Sequence, residues 1–265
     1  MISRVLIARA FGRAAPHYDL HADLQRQVAD QLLNLIEPEF TAKDMIDLGC
    51  GTGYCSVKLR EQFPDSQLLV LDMAMPMLQT TRQHRIENCM LVCADVQAIP
   101  LRDAQFDLMV SNLTIQWCAR TEALFTELFR IARPGAKILL STFGPSTLHE
   151  IKTAWARVDD YVHVNEFAPL ADLLSKAEAA GFGVDGKAVL VERRYTSLQA
   201  VGKELKGLGA YNMNSQQAQG FTSRKALAAA EQAFSEQRTA EGVPVTFEIF
   251  YLQLTKPGLM SGGKQ

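Results

Sequence analysis

The sequence predicts an α/β fold, a doubly wound and mainly parallel sheet, and three observations carry that expectation. Between residues 41 and 143, short apolar runs alternate with segments of helical period. Each crossover is long enough to carry a helix to a parallel neighbour. The run "MIDL" then breaks into alternating glycines, the kind of turn that sets a ligand at the carboxyl end of a strand.

The elements follow in order. Leu24, Val28, Leu32, Leu35 and Ile36 recur at helical spacing, and Pro38 ends that helix. "MIDLG" is a buried strand, "YCSVKLREQF" a helix stopped by Pro64, and "QLLVLD" a second strand closing on Asp72. A helix over "PMLQTTRQH" leads to "MLVCAD", a third strand ending at Asp95, and "FDLMVSNL" is the fourth. "EALFTELFRIA" is a helix closed by Arg133-Pro134-Gly135, before a fifth strand "AKILLSTF". Beyond Gly144-Pro145 the period changes. "STLHEIKTAWARVDDYVHV" and "PLADLLSKAEAAGF" read as helices, "KAVLVERRY" as the sixth strand, and "SLQAVGKELKGLGAYN" and "RKALAAAEQAFSEQ" as helices. "PVTFEIFYLQLTK" alternates strongly and is a last strand suited to insertion beside the parallel ones.

One domain over residues 1–257 is expected: a helical cover over 1–40, a ligand-binding core over 41–143, lid insertions over 144–225, and a last helix and strand over 226–257. Residues 258–265 read as a disordered tail. Arg4, Arg9 and Arg13 precede the first acid, Asp19, a pattern shared with transit peptides, but the apolar period runs on as a helix of the domain.

Bulk chemistry narrows the partners. The 265 residues are 48% hydrophobic with a formal charge of -2, so no basic field is present to hold nucleic acid. No apolar run approaches the roughly 20 residues of a membrane span. The five cysteines, at 50, 55, 89, 93 and 118, match no zinc spacing, which argues for reduced thiols, no metal and a cytoplasmic location.

The glycine turn separates the remaining ligands. A P-loop needs a lysine that nothing near Gly49, Gly51 or Gly53 supplies. The dinucleotide fingerprint needs a glycine where Tyr54 stands. Asp47 precedes the turn and suits an ammonium group, Asp72 lies 21 residues past Gly51 and suits ribose hydroxyls, and Asp95 suits an exocyclic amine. Each acid alone is more often a helix N-cap. Together with the turn they describe a phosphate-free nucleoside carrying an α-amino group, as in S-adenosylmethionine.

Asp47-x-Gly49-x-Gly51-x-Gly53, Asp72 with "MAMPML", "CADVQAIPL" and "FDLMVSNLTIQW" resemble motifs of the S-adenosylmethionine-dependent methyltransferases. That resemblance implies a Rossmann-like seven-strand sheet, six strands parallel and one antiparallel. It also implies cofactor contacts at Asp47, Gly49, Cys50, Gly51, Asp72, Met73, Asp95, Val96 and Asn112. A narrower resemblance joins "AFGRAAPHYDLHADLQRQVADQLL", "SNLTIQWC", "ELFRIARPGAKILLSTFG" and "ELKGLGAYN" to the malonyl-acyl-carrier-protein O-methyltransferases. It implies methyl esterification of a malonyl thioester on a small acidic carrier protein, or on coenzyme A, at the start of the pimeloyl stage of biotin synthesis, with S-adenosylhomocysteine as product.

A carboxylate acceptor is already ionised at neutral pH, so no catalytic base is expected. Tyr18 and Gln116 are the positioning candidates, with Tyr18 alternatively packing a helix. Trp117 is either pocket wall or core, and His17 beside Tyr18 reads as a surface residue. Arg193 and Arg194 are candidates for the substrate's anion, against the plain alternative of a solvated arginine pair. Lys203, Lys206, Arg224 and Lys225 form either a docking patch for the carrier or a charged helix face. Gly202, Gly207 and Gly209 would loosen a lid over 145–168 and 196–222. The alternatives to be separated are a methyltransferase for aconitate or a quinone precursor, and a non-catalytic assembly factor that keeps the fold.

Overall fold

A computed structural model describes residues 3–210 and 223–258. The chain opens with α1 (Arg4–Ala14) and α2 (Asp23–Leu33), the latter burying Leu24, Val28, Ala29, Leu32 and Leu33 along one face. Then come β1 (Asp44–Leu48), α3 (Tyr54–Gln62), β2 (Gln67–Asp72), α4 (Met75–Gln83), β3 (Cys89–Cys93), β4 (Phe106–Ser111), α5 (Thr121–Ile131) and β5 (Ala132–Phe143). The second half holds α6 (His149–Trp155), α7 (Leu170–Ala179), β6 (Gly183–Tyr195), α8 (Leu198–Gly207), α9 (Arg224–Ser235) and β7 (Val243–Thr255).

The seven strands form one sheet in the order β3-β2-β1-β4-β5-β7-β6. β1 through β5 pair in parallel. β7 runs antiparallel to both β5 and β6, so six strands share one direction, as the resemblance implies. The order reverses at β1, between β2 and β4, and a crevice opens there at the carboxyl ends of the strands. Apolar layers lie on both faces, one led by Leu32, Met45 and Tyr251 and the other by Phe125, Met109 and Leu252. Burial on both faces makes "MIDL" and "LLVL" read as unbroken apolar runs.

Three sequence boundaries need correction. β5 begins at Ala132, because Arg133, Pro134 and Gly135 extend the strand rather than close a helix, and its pairing to β4 slips between Phe106 and Leu108. β3 stops at Cys93, two residues before Asp95. The helix expected through Val164 ends at Trp155, because Asp159 turns the chain by accepting from the Tyr161 amide (3.0 Å) and the His163 ring (2.7 Å). Among the described residues no helix is long and apolar enough to cross a membrane. Tyr211 and Asn212 of "GLGAYN", the rest of the expected lid to residue 222, and the tail from Leu259 lie outside the described residues.

Candidate active site

The glycine turn is pinned to the neighbouring strand. The Leu71 carbonyl accepts from the amides of Gly49 (2.7 Å) and Cys50 (3.0 Å). Gly49 and Gly53 take φ of 72° and 95°, and a Cβ at either would strike Thr114 or Thr81. Gly51, at φ 55°, differs, because the space where its Cβ would stand is open and faces the crevice. A ligand can therefore lie against bare backbone there.

Two buried carboxylates flank the turn. Asp47, at the end of β1, accepts from the Ser56 hydroxyl at 2.5 Å, and burial pushes its pKa up to about 7, with the nearby Asp72 charge adding to the effect. Asp72 accepts from the amides of Gly51 (3.0 Å) and Ala74 (2.7 Å), and burial raises it to about 6 despite those bonds. Each carboxylate oxygen keeps a lone pair for a further donor.

Tyr18, Gly49, Gly51, Asp72, Met73, Asp95, Val96, Asn112 and Trp117 line one cavity at the switch point. Asp47 and Cys50 line a small chamber that adjoins it and shares Tyr18, Gly49, Gly51 and Asn112. The Tyr18 phenol stays protonated, because burial and Asp72 both raise its pKa. Asn112 is clamped, donating to the Gln25 carbonyl (3.0 Å) and accepting from Ser141 (2.7 Å), so it ties α2 to the sheet.

Other candidates stand elsewhere. Gln116 lines neither cavity and spends its amide on the Leu113 carbonyl (2.7 Å) and Thr142 (3.3 Å). Arg193 pairs with Glu204 at 3.0 Å, and Arg194 with Glu192 at 2.6 Å and Glu241 at 3.7 Å. Both arginines lie on the edge strand β6, outside the crevice, so a pair of adjacent charges on an edge strand finds its own acids first. Asp95 reaches the cavity, but its Oδ2 is paired with Arg4 of α1 at 2.8 Å.

Sequence reasoning missed four groups here. Arg4, Ile7 and Phe11 of α1 form the roof of the cavity, and Phe11 meets Trp117 edge-on at 5.3 Å. Their apolar spacing predicts a helix but not what it covers. Gln25 of α2 lines the small chamber, where its Oε1 is buried and, among the described residues, has no hydrogen-bond partner. A buried acceptor left open next to Asp47 fits a ligand that brings an N–H donor. No sequence signal distinguishes this glutamine from others on a helix. The chamber sets the buried Asp47 and an acceptor without a partner among the described residues against an incoming donor, which favours an ammonium, while Arg26, which also lines it, is taken up by the Asp19 carbonyl (3.0 Å) and Asp23 (2.6 Å).

Residues 46–140 match the family model described as a methyltransferase domain. Over 248 residues the chain is 39% identical to the malonyl-[acyl-carrier protein] O-methyltransferase of Methylococcus capsulatus, covering 91% of this chain and 89% of that one. It is 38% identical over 257 residues to the biotin biosynthesis bifunctional protein BioHC of Cellvibrio japonicus. That match takes in 97% of this chain and only 51% of the bifunctional protein, so the chain spans about half the length of such relatives. Among solved structures, the YcgJ protein of Bacillus superposes with a TM-score of 0.61 at 14% identity, over 88% of this chain and 99% of that one, a likeness of fold.

Proposed function

We propose, from the premise that the chain belongs to the malonyl-[acyl-carrier protein] O-methyltransferase family, that it methylates the free carboxylate of a malonyl thioester on an acidic acyl-carrier protein. The ester formed would start the pimeloyl stage of biotin synthesis, in the cytoplasm, where the five cysteines stay reduced. The observation that supports this reading best is the chamber in which the buried Asp47 and the open Gln25 Oε1 stand beside bare backbone at Gly51.

These residues fit S-adenosylmethionine. Asp47 and Gln25 Oε1 would accept from its ammonium, Asp72 from its ribose hydroxyls, and Met73, Val96 and Ile7 would enclose its adenine. Asp95 would meet the adenine amine with an oxygen that already accepts from Arg4. When bound, S-adenosylmethionine supplies an electrophilic methyl group.

The protein's own work is alignment and exclusion of water. The malonyl carboxylate is already an anion, so its lone pair would form the new O–C bond as the methyl–sulfur bond breaks and leaves its electron pair on sulfur, and no side chain has to take a proton. Tyr18, whose phenol stays protonated, can donate one hydrogen bond to orient the acceptor without itself being ionised. Trp117 and Phe11 remove water from the reacting centre, where the atoms must sit about 3–3.5 Å apart. In this reading residues 1–40 serve as cover and 144–225 as lid.

The test is mass spectrometry of holo malonyl-carrier protein after incubation with S-adenosylmethionine. A mass gain of one methyl group on the malonyl unit is expected. No gain there, with methylation of aconitate or a quinone precursor instead, rejects the substrate. Binding of S-adenosylhomocysteine without turnover on any carboxylate would favour an assembly role.

A further inference from the structure

A second cavity of about 500 Å³ lies beside the first, within the roughly 300–1,000 Å³ of small-molecule sites. Phe143, Ile151, Trp155 and Phe167 make it apolar. Trp117 lines both cavities, so whatever fills the second one meets the first at that indole. One wall is rigid: His163 stacks on Trp155 with ring centroids 3.7 Å apart, and its Nε2 is held by Asp159 at 2.7 Å.

The lining also carries cations. Lys203 and Lys206 of α8 line the cavity while remaining exposed, one helical turn apart on the same side. Among the described residues neither has an ion-pair or hydrogen-bond partner. Residues 211–222, which follow α8 closely, contain no Asp or Glu in sequence. Arg193 and Arg194, by contrast, are already neutralised by glutamates.

We infer that this cavity takes the phosphopantetheine arm that presents the malonyl group, with Lys203 and Lys206 holding its phosphate at the mouth and the acyl end directed at Trp117. This rests on the malonyl reading above. The arm's gem-dimethyl and methylene groups suit the apolar walls, while its phosphate is the one anionic group and meets the two ammoniums. The arrangement orients the ligand, because the phosphate stays in solvent and only the acyl end reaches the reacting centre. The lysines then act on the arm itself rather than on the carrier's acidic surface.

Two variants test this. Lys203→Gln with Lys206→Gln removes the charges, and Gly202→Phe fills the cavity from a helix position whose Cβ has open space. KM is measured with malonyl-carrier protein, malonyl-CoA and phosphate-free malonyl-pantetheine. Binding of 4′-phosphopantetheine to protein saturated with S-adenosylhomocysteine is followed by calorimetry. The double variant should raise KM roughly tenfold or more for the two phosphate-bearing substrates and less than about twofold for malonyl-pantetheine. The larger loss between carrier and CoA identifies the arm's source. Gly202→Phe should abolish 4′-phosphopantetheine binding and leave that of S-adenosylhomocysteine intact. Equal losses on all three substrates, or unchanged 4′-phosphopantetheine binding in both variants, overturn the inference. Cavity-dependent binding without malonyl turnover rejects the malonyl reading alone, and turnover indifferent to both variants rejects this inference alone.

Discussion

Asp47 and Asp72 are carboxylates kept from water, and that gives the protein a pH dependence of definite sign. Their pKa values of about 7 and about 6 lie above the roughly 3.9 of an unfolded aspartate. Between those limits the folded chain binds more protons than the unfolded one, so these groups make stability fall as pH rises. Without ligand, urea midpoints should therefore decline from about pH 5.5 to 8, and Asp47→Asn should flatten part of that slope. A slope unaltered in the variant would remove Asp47 from the account. Gln25 gives a sharper test of where the amino acid portion lies. Gln25→Leu should weaken S-adenosylhomocysteine binding about tenfold, by loss of a hydrogen bond to an ammonium, yet spare 5′-methylthioadenosine, which lacks that portion. Equal loss of both ligands would place the ammonium elsewhere.

At the scale of elements, α1 decides access to the crevice. It is held over the cavity by the Phe11–Trp117 contact and by the Arg4–Asp95 pair, whose arginine is 48% exposed. An exposed pair contributes at most about 1 kcal/mol, so the latch opens easily and an adenine amine can compete for Asp95. The edge-to-face contact contributes about 0.5–1.5 kcal/mol. Phe11→Ala should thus raise the S-adenosylhomocysteine off-rate roughly 2- to 12-fold in stopped-flow measurements, with little change in the far-UV spectrum. An unchanged off-rate would mean that α1 is not the gate. α2 is anchored more deeply, because the buried Tyr251 hydroxyl of β7 donates to Gln31 at 2.8 Å. Tyr251→Phe should cost about 1 kcal/mol in urea unfolding, without changing cofactor affinity.

Over the whole molecule, what the sequence revealed and what it hid divide by the range of the interactions. The strands from Asp44 to Phe143 were legible because burial on both faces and glycine geometry are local and leave a periodic mark. The acids 47 and 72 were legible too, since a strand's end fixes where its last side chain stands. The sequence offers Asp95 as an acceptor for an amine, and the structure sets Arg4 against it from 91 residues away. Gln25, the roof of α1 and the second cavity depend on helices meeting from distant parts of the chain, and no local pattern encodes such meetings. For Arg193 and Arg194, adjacency in sequence shows a pair of charges, while the structure pairs Arg193 with Glu204 of another element and Arg194 with Glu192 two residues before it. The place where the crevice opens follows from strand order, since the order reverses at β1.

The central claim is that a cationic, phosphate-free nucleoside lies against Gly51 between Asp47 and Asp72. Calorimetric titration of the intact protein with S-adenosylhomocysteine tests it most directly. The account predicts one saturable site, lost in a folded Gly51→Arg variant, and no heat from NADH. Undiminished binding in that variant, or NADH binding in its place, would contradict it.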